Sequence, residues 1–149
     1  MMARWHESLF PVLQELNIGF VAFSPMANGY LSGQYRGNLK FDPNTDFRSK
    51  MPQFRPEAEE QNEKLLALLN HLAEEKSVTS AQISLAWMLC KNPQLVPIPG
   101  TTKIDRLQEN ADAADVQLSP EEIAALDHAL DTLPMSDVYG GFHYINRTK

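Results

Sequence analysis

A single cysteine, Cys90, stands among the 149 residues, so no internal disulfide ties the chain together. That usage fits a reducing, cytoplasmic compartment. Cys90 closes the apolar run Ile83-Ser84-Leu85-Ala86-Trp87-Met88-Leu89, which predicts a buried core thiol. No basic-then-apolar leader opens the sequence, and no apolar run approaches the ~20 residues of a membrane span. The four histidines, His6, His71, His128 and His143, have no metal-ligand spacing and are expected on the surface, so no metal is expected. Neither a Gly-x-Ser-x-Gly elbow nor a His-Glu-x-x-His helix is present. Gly29, Gly33 and Gly37 recur at four-residue spacing, which is neither a dinucleotide fingerprint nor a P-loop and reads as loop flexibility. Positive charge is also short: 13 Lys and Arg against 19 Asp and Glu leave a net charge of −6. That balance argues against general binding to nucleic acid or anionic membranes.

What remains is ordinary globular material, 43% hydrophobic and 21% charged, long enough for one domain over 1–149 with a sizeable core. Glu7 to Leu16 predicts a short helix with Leu9, Val12, Leu13 and Leu16 on its inner face and Pro11 in its first turn. Ile18 to Phe23 is continuously apolar, as in a strand covered on both faces. Arg36 to Pro56 has no period and predicts a long loop, mobile without ligand, which Phe47, Arg48, Phe54 and Arg55 are placed to fasten. Pro56 to Lys76 predicts a helix with a Leu65, Leu68, Leu69 and Leu72 stripe. Thr79-Ser80-Ala81-Gln82 is a capping box that opens an apolar, central helix running to about Cys90. Leu95 to Ile98 is a second strand, and Lys103 to Ala114 a helix with Ile104, Leu107 and Ala111 inward. Ser119-Pro120-Glu121-Glu122 caps a last helix packed through Ile123, Leu126 and Leu130, followed by an extended tail from Leu133. Two strands separated by helices predict a parallel pair with a right-handed crossover. Tyr30, Tyr35, Tyr139 and Tyr144 read as packing or surface residues.

The most informative stretch is Leu95-Val96-Pro97-Ile98-Pro99-Gly100-Thr101-Thr102-Lys103-Ile104-Asp105-Arg106-Leu107-Gln108-Glu109-Asn110. A strand, a turn at Gly100 and a helix start bring two hydroxyls, Lys103 and Arg106 together. Unpaired N–H groups and partial positive charge at a helix start attract phosphate, and the two cations share a helix face. The pattern suits a phosphate monoester on a small ligand.

The same stretch resembles the cofactor-binding end of the aldo-keto reductases, where Ile-Pro-Gly-x-x-Lys-x-x-Arg-Leu-x-Glu-Asn holds the 2′-phosphate and adenine of NADP(H). Ile18-Gly19-Phe20-Val21-Ala22-Phe23-Ser24-Pro25-Met26-Ala27-Asn28-Gly29-Tyr30-Leu31-Ser32-Gly33 is similar to the family's seventh strand and following loop. Ser119-Pro120-Glu121-Glu122 and Met135-Ser136-Asp137-Val138-Tyr139-Gly140-Gly141 fit its last helix and tail. The resemblance implies an α/β fold: the C-terminal portion of a (β/α)8 TIM barrel, with about two parallel strands and about five helices. A whole barrel typically takes about 250 residues.

By this resemblance Lys103 and Arg106 bind the 2′-phosphate, which favours NADP(H) over NAD(H). Gly100, Thr101 and Thr102 supply the turn, hydroxyls and backbone donors, and Glu109 and Asn110 reach the adenine. Phe23 stacks on the nicotinamide, and Ser24, Met26, Asn28, Gly29 and Leu31 belong to the pyrophosphate loop. Many relatives carry a basic residue at the position of Asn28. The family's catalytic Tyr, Lys, Asp and His come from the first half of its barrel and have no matching position here. The expectation is therefore no catalytic residue in this chain and no carbonyl reduction by it alone. Met1 to Arg4 resembles the loop after the sixth strand, so Met1 reads as an internal methionine or the start of a truncated frame. Partners implied are NADP(H), an N-terminal half chain, or a second copy pairing at open strand edges. The alternatives are a non-catalytic nucleotide-sensing or interaction module, a truncated remnant that binds nothing, and, most distantly, an unrelated helical interaction module.

Overall fold

The computed structural model describes residues 5–35 and 41–138. The expectations that fall on Met1 to Arg4, the His6 side chain, Arg36, Gly37, Tyr139 to Gly141, His143 and Tyr144 lie outside the described residues.

A 3-10 turn over Trp5–Leu9 leads into a short helix α1, Phe10–Glu15, with Pro11 in its first turn. Strand β1 is Phe20–Ala22, followed by a 3-10 stretch Ala27–Ser32 and two 3-10 turns, Phe47–Lys50 and Pro52–Phe54. Helices α2, Pro56–Lys76, and α3, Ser80–Lys91, precede strand β2, Leu95–Pro97. Helix α4, Ile104–Asp112, a 3-10 turn and α5, Pro120–Thr132, complete the order. The strands pair in parallel, with Phe20 opposite Leu95, Val21 opposite Val96 and Ala22 opposite Pro97.

Helix α3 is the centre. Every residue from Ser80 to Met88 is buried, because α2 covers it with Leu65, Leu66, Leu69 and Leu72 while α5 adds Leu126 and Leu130 to the same core. Its start is fixed as the sequence predicts: Gln82 N–H donates to Thr79 Oγ1 at 3.2 Å and Thr79 N–H to Gln82 Oε1 at 3.0 Å. Ser119 and Glu122 make the same reciprocal pair at α5, with Pro120 in the first turn. At the other end of the molecule Asn62, fully buried on α2, donates to Ser136 Oγ at 2.8 Å and accepts from Ser136 N–H at 3.0 Å. That reciprocal bond holds the segment after α5 against the body.

Four expectations need correction. Leu9, Val12 and Leu16 are exposed, and only Leu13 is partly covered. The 3-10 turn over Trp5–Leu9 breaks the 3.6-residue period assumed for that face, and Phe10 packs instead, edge-on against Phe20 at 5.7 Å. The strands are covered on one face: Phe20, Ala22 and Leu95 turn toward the helices, whereas Val21 and Val96 are 62% and 55% exposed. Ile104, Leu107 and Ala111 do not face inward, Ile104 being 83% exposed. Helix α4 is rotated so that Arg106, Glu109 and Asn110, which share one face at i, i+3 and i+4 spacing, are its half-buried residues. Cys90 is exposed, since α3 emerges from its cover in its last turn.

Candidate cofactor site

Parallel pairing sets the C-terminal ends of β1 and β2 side by side. The Ile98 N–H donates to the Ala22 carbonyl at 3.1 Å, so the chain leaves both strands at the same end. In parallel α/β sheets the loops at that end carry ligands. Two segments, whose Gln34 and Arg106 are 72 residues apart in sequence, therefore form two walls of one region, and they are the two that the sequence singled out.

The first wall is the turn into α4. Gly100 is exposed, and a Cβ there would meet nothing within 4 Å. Thr101 Oγ1 accepts from the Lys103 N–H at 3.1 Å and fixes the turn. Lys103 is the N-cap of α4 and offers no side-chain cap, in contrast to Thr79 and Ser119. Lys103 therefore leaves the first-turn N–H groups uncapped by its own side chain, and such groups attract anions. Thr102 and Lys103 are exposed, and Arg106 donates from Nη2 to Gln34 Oε1 on the other wall. Glu109 and Asn110 follow one turn later, half-buried. The turn thus carries two cations, two hydroxyls and a helix start, with the acidic Asp105 in the same first turn.

The second wall follows β1. Phe23 is 76% exposed and presents its ring at the strand end. Ser24, Ala27 and Asn28 have φ of 51°, 48° and 60°, and Gly29 has φ of 92°. Three non-glycine residues in the left-handed region within five positions is a strained loop. Gly29 is required there for a second reason: a Cβ would lie 2.9 Å from the Tyr35 ring. Ser24 Oγ lies 3.4 Å from Asn28 Oδ1 across the loop. The Gly29 and Leu31 N–H groups both donate to the Met26 carbonyl, and Ser32 Oγ to the Gly29 carbonyl at 2.7 Å. Met26 is half-buried against the core, and Leu31 is fully buried within it, which leaves the Leu31 side chain no part in a ligand contact.

The segment 41–55 packs onto this second wall. Phe54 meets Tyr30, Tyr35 and Phe41 at 5.5, 5.9 and 5.0 Å between ring centroids. Arg48 lies 4.8 Å from the Tyr35 centroid and 4.6 Å from that of Phe41, and pairs with Asp46 at 2.5 Å. The hydrogen bond to Asp46 raises Arg48 above its usual value and, reciprocally, lowers Asp46. Of the four residues expected to fasten this segment, Arg48 and Phe54 do so, while Phe47 and Arg55 are exposed. Gln53 and Gln34 went unnoticed in the sequence. Gln53 donates from Nε2 to the Ala27 carbonyl at 3.3 Å, and neither glutamine sits in a motif or a period that would have flagged it. Among the described residues no group of His, Cys, Asp and Glu gathers that could hold a metal, and no helix is long and apolar enough to cross a membrane.

Comparison with known proteins gives the family and the fold. Residues 1–131 match the model of the aldo/keto reductase family. An aldo-keto reductase of Strobilurus tenacellus, str7, is 39% identical over 119 residues, covering 80% of this chain and 35% of that protein. A probable aldo-keto reductase 1 of Glycine max is 34% identical over 138 residues, covering 93% of this chain and 38% of that one. Among solved structures, the thermostable aldo-keto reductase Tm1743, in complex with the inhibitor epalrestat, superposes with a TM-score of 0.59 at 26% identity over 85% of this chain and 35% of that one. The glycerol dehydrogenase AKR11B4 of Gluconobacter oxydans superposes with a TM-score of 0.75 at 23% identity over 84% of this chain and 38% of that one, a likeness of fold. The chain thus spans little more than a third of the length of these relatives, and its two parallel strands with their helices correspond to a portion of the neighbours' (β/α)8 barrel. With 131 of its residues matched and its strand ends built as described, the chain belongs to the aldo/keto reductase family.

Proposed function

We propose that this chain is the NADP(H)-binding portion of a carbonyl oxidoreductase. The observation that carries the reading is the meeting of the two loop segments at one end of the strand pair, bridged by Arg106 and Gln34. Lys103 and Arg106 take the 2′-phosphate, with Thr101, Thr102 and the first-turn N–H groups of α4 completing its cradle beside Gly100. Glu109 and Asn110 hold the adenine. Phe23 is the plate for the nicotinamide ring, and Ser24, Met26, Asn28, Gly29 and the Leu31 backbone line the pyrophosphate path. The bound cofactor supplies hydride chemistry; these residues bind and orient it. By the resemblance, the family's catalytic Tyr, Lys, Asp and His have no matching position here, so the chain alone is proposed to be catalytically incomplete. Its complement is an N-terminal barrel portion, in one polypeptide or as a separate chain. In its absence a second copy would cover the open strand face. A reducing cytoplasmic setting suits the exposed thiol of Cys90.

Titration of the purified chain with NADPH and, in parallel, NADH, followed by ligand fluorescence, tests the reading. The expected result is selective binding of NADPH that is lost in Lys103→Ala. Absence of binding to either nucleotide, or equal affinity for both, overturns it.

A further inference from the structure

The strained loop Ser24–Gly29 has a brace that comes from outside it. Gln53, in the 3-10 turn Pro52–Phe54, is 0% exposed and donates from Nε2 to the carbonyl of Ala27, itself at φ 48°. Left-handed non-glycine residues persist only where the surroundings over-determine them, and they concentrate at ligand clamps. The Gln53 amide is an expensive way to fill a core position. Its Oε1 is buried with no partner among the described residues, and the further contact of Nε2 is the thioether of Met51 at 3.6 Å. An apolar side chain of the same volume would fill the space without an orphaned acceptor. What an apolar residue lacks is the donor aimed at Ala27. Phe54, next in sequence, meets Tyr30 edge-to-face just past the loop's end, so the turn holds the loop at Ala27 and beside Gly29.

We infer that Gln53 is a positioning residue that holds the Ser24–Gly29 loop in the shape that receives the cofactor's pyrophosphate, at a cost in stability. This rests on the proposed cofactor reading and adds to it a residue that does not touch the cofactor. Two consequences separate it from a merely structural role. Gln53→Met, which keeps the volume and removes both the donor and the orphaned oxygen, should leave the melting temperature unchanged or raised. The same variant should bind NADPH about tenfold more weakly, while adenosine 2′-monophosphate, which engages only the α4 wall, binds within about twofold of wild type.

The experiment is thermal unfolding plus calorimetric titration of wild type and Gln53→Met with NADPH and with adenosine 2′-monophosphate. A selective loss of NADPH affinity at retained stability is the expected result. Unchanged NADPH affinity overturns the inference, as does a parallel loss for both ligands. If wild type binds neither ligand, the cofactor reading fails and this inference with it. If wild type binds both and the variant binds them equally well, Gln53 alone is refuted. Amide hydrogen exchange of the wild-type chain provides a check that needs no variant. The Ala27, Gly29 and Leu31 N–H groups, bonded within the loop, should be protected before any cofactor is added. Exchange at the rate of an unstructured chain would show that the loop is not held in advance and would overturn the inference.

Discussion

Arg106 on α4 donates a hydrogen bond to Gln34 Oε1, joining the two walls of the candidate site through a partner that carries no charge. The choice of an amide matters. A neutral amide orients the guanidinium without neutralising it, so under the proposed reading the charge stays available to a phosphate dianion. A carboxylate in the same place would compete for it. Gln34→Glu is therefore expected to weaken NADPH binding about tenfold while NADH changes by no more than about twofold, and raising the salt should narrow the gap. Parallel fluorescence titrations of the two nucleotides measure this. An equal loss for both would show that Gln34 shapes the loop and does not tune Arg106.

Trp87 gives a stability prediction of a different kind. Its ring is buried, and its Nε1–H donates to Asp127 Oδ1 at 2.9 Å, while Lys91 Nζ takes Oδ2 of the same carboxylate at 2.8 Å and approaches Glu7 at 3.4 Å. Asp127 thus ties α5 to the central helix and connects through Lys91 to the first 3-10 turn. Asp127→Ala strands a buried indole N–H and is expected to cost about 1–3 kcal/mol, whereas Asp127→Asn, which keeps an acceptor for Trp87, should cost less. Urea unfolding of the two variants separates them; equal midpoints would mean that the indole bond contributes nothing.

Much of this architecture was legible because it is written locally. Thr79 with Gln82, and Ser119 with Pro120 and Glu122, announce helix starts through side chains that reach only three residues, and both boxes formed. The two strands stood out as apolar runs, and the turn at Gly100 with Lys103 and Arg106 stood out by spacing. What failed depended on neighbours. Ile104 and Leu107 have the spacing of an inward stripe, yet α4 turns Arg106, Glu109 and Asn110 to the body, a rotation that no helical period encodes. Val21 and Val96 have the apolar character of doubly covered strands, but whether their second face is covered depends on strands beyond the pair. The aromatic cluster of Tyr30, Tyr35, Phe41 and Phe54 joins residues from two irregular segments, where periodicity has nothing to report. Gln53 lies in the same blind region.

The acid limb of stability should report on Glu122. Burial pushes its carboxyl up, but the hydrogen bond and charge of Lys76, with an ion pair of 2.8 Å, together with the Ser119 N–H, outweigh that and leave it below its ordinary value. Folding therefore favours the ionised form. The stabilisation is fully present above the unfolded value, near pH 4.3, and is lost as pH falls through the lower folded value. Glu122→Gln keeps an acceptor for the capping box but cannot titrate. It should be less stable than wild type at neutral pH, with the difference shrinking below about pH 4. Melting temperatures across that range provide the test, and a difference that does not depend on pH would assign the effect to packing.

Val21 and Val96 face each other across the strand pair with their side chains largely exposed, and Ile18 and Ile98 extend the same apolar material at either end. Among the described residues no further strand pairs with either outer edge, and an apolar face beside open edges invites association. The chain is expected to self-associate as its concentration rises. Val21→Glu combined with Val96→Lys should suppress this without unfolding the pair, because the two positions are register partners and opposite charges on neighbouring strands attract. Light scattering coupled to size exclusion, with circular dichroism as a check on the fold, reads the outcome. A wild-type chain that stays monomeric at high concentration would remove the second copy as a cover for this face, and a double variant that still associates would move the contact elsewhere, with α4 and its exposed Ile104 and Leu107 the next surface to test.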